Sequence, residues 1–341
     1  MSAASLIPVG WDDHWASLLA AHGPAVEPGR VLRHDGVSVN VLTAAGERIV
    51  KLRRGADAPT VGDWLALDGD TLVAVLERSS LLRRRAAGGD DLQVLAANVD
   101  LVLLVCGLDR FVRAGRVQRG EALAWDAGAV PLLVLTKADL AEDLDGTLAE
   151  IDEVHKGLER FLTSAPEGLG IADLRSRLVG STSVLLGESG AGKSRLVNAI
   201  LGSEVAVTGA VRESDAKGRH TTTNRQLHLV PGGGVIIDSP GIREVGLAGD
   251  EDSVDATFTD VEDLALRCRF NDCAHTGEPG CAVAAAVVAG VLTPERLDAY
   301  LELREEAAFA AERADEHARR AQERQSTRAV KPPARKKPGR P

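Results

Sequence analysis

The sequence predicts three folded units in series: an antiparallel β-barrel, a central α/β unit with a largely parallel sheet, and a helical unit built on a metal cluster. Three observations carry this. Residues 30–85 alternate apolar and polar side chains with period two, broken by turn pairs. From about residue 96 the apolar runs become continuous and alternate with helical segments, the pattern of strands buried on both faces. Three of the four cysteines, Cys268, Cys273 and Cys281, fall within fourteen residues beside His275.

Residues 1–29 read as an N-terminal extension. The runs VSVNVL, RIVKL, VGDWLAL and TLVAVLE follow, punctuated by Asp35-Gly36, Ala45-Gly46 and Asp68-Gly69. Five strands in about 55 residues suit an OB-type barrel over 30–92, a scaffold that often binds nucleic acid. A purely structural barrel satisfies the same pattern. Over 93–249 the strands LVLLV, PLLVL, SVLLG and VIID alternate with the helical segments GRVQRGEALAWDAG and IADLRSRLV. An acidic stretch, DEDSVDATFTD, opens the unit at 250–320, which holds the Cys/His cluster and a helix-rich segment.

Composition bounds the function classes. The apolar fraction of 44% is that of a globular chain, and with 3% aromatics its cores must rest on Leu, Val, Ile and Ala. The longest nearly unbroken apolar run, AVAAAVVAGVL at 282–292, is too short to span a bilayer. The N-terminus lacks the basic start and apolar stretch of a secretory signal. A cytoplasmic monomer without membrane contact is expected. The net charge of −10 argues against nucleic acid only if charge is evenly spread. It is not: from Arg324 to Pro341 there are seven basic residues, four prolines and no acidic residue. The tail over 321–341 should be disordered, either a solubilising end or an arm that neutralises phosphates.

The central unit contains Gly187-Glu188-Ser189-Gly190-Ala191-Gly192-Lys193-Ser194, a match to G-x-x-x-x-G-K-[ST] placed between an apolar run and a helix. Glycines let the backbone wrap a phosphate, and the helix N-terminus adds positive potential. Lys193 is expected to reach the β- and γ-phosphates and Ser194 to bind Mg²⁺, with Arg195 next in the nucleotide-binding stretch. After VIID comes Asp238-Ser-Pro-Gly241, where Asp238 can hold the Mg²⁺ shell and the Gly241 N–H can meet the γ-phosphate. Between them, GRHTTTNRQL offers a Thr to complete the Mg²⁺ coordination, Thr222 or Thr223.

Upstream, PLLVLTKADL ends in Thr136-Lys137-Ala138-Asp139, which resembles the N/T-K-x-D guanine-reading motif. A carboxylate at Asp139 can accept both N1–H and the exocyclic amine of guanine, a pattern adenine does not offer. The aliphatic part of Lys137 can cover the base. Thr163-Ser164-Ala165 resembles the S-A element whose backbone meets guanine O6. Thr136 in place of the more usual Asn removes an amide contact and is expected to loosen guanine affinity. The base motifs thus precede the phosphate loop, the reverse of the ordinary order. Joining the termini and opening a new break keeps the same site, so the central unit is expected to be a circularly permuted P-loop GTPase binding GTP and GDP.

Cys268, Cys273, His275 and Cys281, spaced C-x4-C-x-H-x5-C, supply three thiolates and one imidazole. That is the donor set of a closed tetrahedral site, so one structural Zn²⁺ is expected and a catalytic metal is not.

Taken together, PTVGDWLAL, AANVDLVLLV, TKADL, GESGAGKSRLVNAIL, GRHTTT, DSPGIRE and the Cys/His cluster resemble the RsgA (YjeQ) family of circularly permuted GTPases over about residues 30–320. The resemblance implies a late maturation or checkpoint factor of the small ribosomal subunit. It also implies binding to that subunit and its rRNA, GTPase activity stimulated by the subunit, and release after hydrolysis. Ras-like enzymes place a water-orienting Gln after D-x-x-G, but here that position is Ile242. His220, just before the Thr run, is the candidate for the missing role; a solvated loop histidine is the alternative. A binding checkpoint whose hydrolysis is incidental, and a P-loop ATPase or small-molecule kinase, are the competing functions.

Overall fold

One eleven-stranded sheet runs from the N-terminal strands into the central α/β unit. The computed structural model describes residues 3–52, 58–85, 92–155, 157–205, 225–238, 254–255, 257–270, 272–305 and 307–308. A 3-10 helix (Ala3–Val9) and helix α1 (Asp13–Ala20) come first; Asp12 caps α1 by accepting from the Trp15 N–H at 3.1 Å. Strands β1 (Glu27–His34), β2 (Ser38–Thr43), β3 (Gly46–Lys51), β4 (Trp64–Asp68) and β5 (Thr71–Val75) follow. Strand β1 pairs antiparallel with both β2 and β4, β2 pairs with β3, and β4 pairs with β5. Their inward residues Val31, Val39, Val41, Val50, Leu65 and Leu67 form a small core of their own. A separate hairpin, β6 (Leu81–Arg85) and β7 (Leu92–Ala97), leads into the central unit.

The central unit contains β8 (Leu101–Gly107), α2 (Ala114–Asp126), β9 (Val130–Thr136), α3 (Leu144–Val154), β10 (Arg160–Leu162), α4 (Ile171–Leu178), β11 (Thr182–Gly187), α5 (Lys193–Leu201), β12 (Gln226–Leu229) and β13 (Val235–Asp238). The spatial order is β10-β9-β8-β11-β13-β12, parallel except for β12. Successive side chains point to opposite faces, so the continuous apolar runs serve two cores. Leu103, Val105, Leu132, Val134 and Leu185 pack with α4 and α5. Val102, Leu104, Leu133 and Leu135 face α2, α3, Trp64 and the N-terminal Leu6, Val9 and Trp15. The N-terminal segment therefore packs across both units, and Pro8 accepts from the Gly234 N–H at 2.9 Å.

Arg30 fixes the junction. It is 1% exposed, lies 4.9 Å from the Trp64 ring centroid and donates to Thr182 Oγ1 at 2.9 Å, at the foot of β11. Burial pushes its pKa down to about 10, against the pull of Asp100 and Asp63. The adjacent pair Arg33 and Gln226 joins β1 to β12. Truncating one partner of a buried charged cluster leaves the others uncompensated. Arg30→Ala is therefore expected to cost about 3 kcal/mol, read as a lower midpoint in thermal or urea unfolding.

Beyond residue 254 lie α6 (Thr259–Ala265), α7 (Ala282–Val288) and a helical stretch over 294–305. Phe258, Val261, Val283, Tyr300 and Leu303 form their core, which also takes in Ala122 of α2. Among the described residues no helix is long and apolar enough to cross a membrane.

Candidate nucleotide site and metal cluster

Strand β11 delivers the chain to the glycine-rich loop, and α5 begins at its last-but-one residue, Lys193. Gly187 must be glycine, because a Cβ there would lie 2.3 Å from the Val105 carbonyl oxygen. Gly192 caps α5 in the left-handed region at φ 88°, with Thr136 Oγ1 3.2 Å from where a Cβ would be. The Lys193 ammonium donates to the carbonyls of Gly187 (2.5 Å) and Glu188 (2.6 Å), which closes it over the loop. A glycine cradle with a lysine folded over its mouth fits an anionic phosphate, whose oxygens would take over those carbonyl contacts.

The 136–139 segment meets this loop directly. Thr136 ends β9 and its hydroxyl donates to the Ala191 carbonyl at 2.6 Å. The threonine that replaces the usual Asn thus itself ties the base-reading strand to the phosphate loop. Lys137 turns the chain at φ 60°. Asp139 accepts from the Ser164 hydroxyl at 2.6 Å, and the Ala138 N–H donates to the Thr163 carbonyl at 3.2 Å. Ser164 is fully buried, so its side chain orients the Asp139 carboxylate instead of facing solvent. A cavity of about 140 Å³ opens here, lined by Lys137, Asp139, Ala165, Gly192 and Arg195 among others. A larger hollow of about 370 Å³ is lined by Asp109, Arg110 and the α3 residues Thr147, Glu150 and Ile151 among others.

Three residues that motif reading passed over pair with the base-reading and phosphate loops from outside that cavity. Asp109 and Arg110 follow β8, and Arg116 stands in the first turn of α2. Lys137 Nζ donates to Asp109 Oδ2 at 2.6 Å, Arg110 pairs with Asp109 at 3.2 Å, and Arg110 and Arg116 both pair with Glu188. Burial pushes the Asp109 carboxyl up, but hydrogen bonds from Arg110 and Lys137 outweigh it and hold it below the usual range. The available signal was position: loops at the carboxyl ends of parallel strands are where α/β sheets bind ligands.

Asp238 ends β13, one residue beyond the Val184–Ile237 pairing with the phosphate-loop strand. His220, Thr222, Thr223 and Gly241 lie outside the described residues, as do Ile242 and the basic tail.

On the C-terminal unit, one ligand atom from each of Cys268, Cys273, His275 and Cys281 lies within 4.8 Å of the others. Cys268 and Cys281 Sγ are 4.0 Å apart, and His275 Nδ1 is 3.7 Å and 3.5 Å from them. A tetrahedron of Zn–S and Zn–N bonds has edges of about 3.5–3.8 Å, so the donors fit one zinc ion. The amides of Ala282 and Ala284 at the start of α7 donate to the sulfurs of Cys268 and Cys281, each at 3.3 Å. Burial raises the Cys268 thiol, yet hydrogen bonds from the Ala282 and Val283 amides and from the Cys273 and Cys281 thiols together outweigh it and lower its pKa, which favours the thiolate. Glu278 folds back to accept from the Ala274 and Thr276 amides at 3.1 and 2.9 Å, bracing the knuckle between the second and third ligands and the fourth.

The RsgA GTPase family model matches residues 75–248. The small ribosomal subunit biogenesis GTPase RsgA of Xanthomonas oryzae pv. oryzae is 41% identical over 328 residues, 91% of this chain and 90% of that protein. The chain belongs to the RsgA GTPase family. The RsgA of Xanthomonas campestris pv. campestris is 42% identical over the same shares. The crystal structure of YjeQ from Thermotoga maritima superposes with a TM-score of 0.64 at 27% identity, covering 83% of this chain and 99% of that one. YloQ, described as a circularly permuted GTPase, shares the fold with a TM-score of 0.60 at 24% identity, over 83% of this chain and 96% of that one. In this RsgA-family chain the permutation is visible directly: the strands β8, β9 and β10 precede β11 in sequence, yet β8 flanks it in the sheet opposite β13.

Proposed function

We infer that this chain hydrolyses GTP as a maturation or checkpoint factor of the small ribosomal subunit in the cytoplasm, working as a monomer and leaving the subunit after hydrolysis. The observation that carries the nucleotide half is the contact of Thr136 with Ala191, which joins a carboxylate-bearing base cavity to a phosphate cradle. The ribosomal half is supported by the names and near-full-length similarity of the RsgA relatives.

In this reading Asp139 reads guanine, with Lys137 along the base and Ala138, Ser164 and Ala165 around it. The amides of 187–192 and Lys193 hold the phosphates and neutralise the charge that develops during transfer. Ser194, Asp238 and Thr222 would hold Mg²⁺, which would neutralise negative charge on the phosphates. His220 orients the attacking water, since Ile242 can neither donate nor accept. The units follow the boundaries 30–92, 93–249 and 250–320, and the first is an OB-type barrel. That barrel, the zinc unit and the basic tail contact rRNA.

Multiple-turnover GTP hydrolysis with and without purified small subunits tests the proposal. Stimulation by subunits supports it. Turnover that ignores them favours the second reading, a nucleotide-gated binding checkpoint, which the Ile242 substitution keeps in play. Equal affinity for fluorescent GTP and ATP analogues would exclude the guanine assignment. His220→Ala is expected to lower subunit-stimulated turnover by about 10²-fold, the lower bound for a positioned acid–base group, with GDP affinity retained. Unchanged turnover would remove His220 from the mechanism.

A further inference from the structure

The base-reading loop and the phosphate loop are joined twice. Thr136 makes the inner, neutral tie. The outer tie is a chain of charges from one loop to the other: Lys137 to Asp109, Asp109 to Arg110, Arg110 to Glu188, and Glu188 to Arg116. The side chains are 22–43% exposed. Ion pairs this open to water add little to the stability of a fold, so their placement needs another explanation.

Each link acts on a group that faces the nucleotide site. Asp109 approaches so closely that a Cβ on Gly107 would lie 2.6 Å from its Oδ1 and 3.6 Å from Lys137 Cδ. It anchors the Lys137 ammonium and so fixes the aliphatic chain beside the base cavity. Glu188 is held from two sides, by Arg110 and by Arg116, on the residue whose carbonyl receives Lys193. Arg110 is the shared joint, and its guanidinium also lies 3.3 Å from where a Cβ on Gly190 would be.

We propose that Asp109 and Glu188 are positioning residues, linked through Arg110, that couple the guanine-reading loop to the phosphate loop so that ordering either one orders the other. Neither needs to touch the nucleotide. The proposal rests on the GTP-binding reading above and deepens it.

The test is a double-mutant cycle on the full-length protein, with the dissociation constant of fluorescent GDP as readout. Asp109→Asn and Glu188→Gln are each expected to weaken GDP about fivefold. Together they should weaken it by about five- to tenfold, well short of the product of about 25-fold that independent sites give. Arg110→Lys keeps the charge but cannot fork between two carboxylates, and should match the double variant. Asp109→Glu should restore most of the affinity, and thermal midpoints should stay within about 2 °C of the parent throughout. A full 25-fold product, unchanged singles, or affinity losses that track falling midpoints would each overturn the coupling. A parent protein that binds no GDP at all would instead overturn the nucleotide reading itself.

Discussion

Asp139→Asn is expected to weaken GTP and GDP about a thousandfold and to create binding of the xanthine nucleotides XTP and XDP. The Asp139 carboxylate is held by the Ser164 hydroxyl on Oδ1, which leaves lone pairs to accept guanine N1–H and its exocyclic amine. An amide in its place turns one acceptor into a donor that faces a donor. A site built to hydrogen-bond one edge rejects the mismatched edge by about 10⁴–10⁵ when buried; this cavity is partly open, so a smaller factor is expected. Xanthine carries a carbonyl where guanine carries the amine, and it restores the pairing. The Ser164 hydroxyl can still donate to the amide oxygen, so the loop should keep its shape. Competition of GDP and XDP against fluorescent GDP or XDP reads the exchange. A variant that keeps the parent preference would remove Asp139 from base recognition.

Stripping zinc with a strong chelator, or Cys281→Ser, is expected to unfold the unit over 254–305 while the 27–238 sheet survives. The metal cluster is part of that unit's core: Cys281 is 5% exposed and packs with Phe258, Val261, Val283 and Tyr300. His275 is held in the left-handed region at φ 61°, a cost that metal ligation offsets. Structural zinc sites of this donor type contribute about 10 kcal/mol or more of apparent binding energy, more than a core of this size can replace. Metal analysis should find one zinc per chain before treatment. Limited proteolysis after treatment should cut first within 254–305. An unchanged cleavage pattern and unchanged helical circular dichroism in the metal-free protein would contradict the structural role.

The parts of the site that were legible in the sequence are those whose chemistry demands fixed spacing. Gly187 is readable because a side chain cannot fit, Gly192 because its backbone is left-handed, and the four metal donors because only a cluster explains them. The sheet was legible because strands buried on both faces write continuous apolar runs, as in LVLLV and PLLVL. Asp109, Arg110 and Arg116 were not, since charged residues after a strand resemble any solvated loop until the fold brings Glu188 and Lys137 to them. Thr136 was readable as a motif position, but its second role was not, because its hydroxyl donates to the carbonyls of Cys106 and Ala191 only once the fold brings β8 and the phosphate loop beside it. The packing of residues 3–20 across two units was equally hidden: a short amphipathic start does not announce which surface it will cover.

Among the described residues, the junctions between units are unequal in kind. The β1–β5 unit is welded to the central one by a shared sheet, a common core and the buried Arg30. The zinc unit touches it through α2, at Ala122 and at the Arg119–Glu302 pair. Helix α2 carries Arg116 against Glu188 at its start and packs Ala122 into the zinc unit about 1.7 turns later, about 9 Å along the axis. Mechanically, these contacts are expected to make the N-terminal half the stator and the zinc unit the rotor, with α2 as the shaft between them. A nucleotide-dependent motion has little play toward the N-terminal strands. It should leave the molecule on the zinc side, and distance measurements between labels on β3 and the 294–305 helix, with GDP and a GTP analogue, would show which end turns.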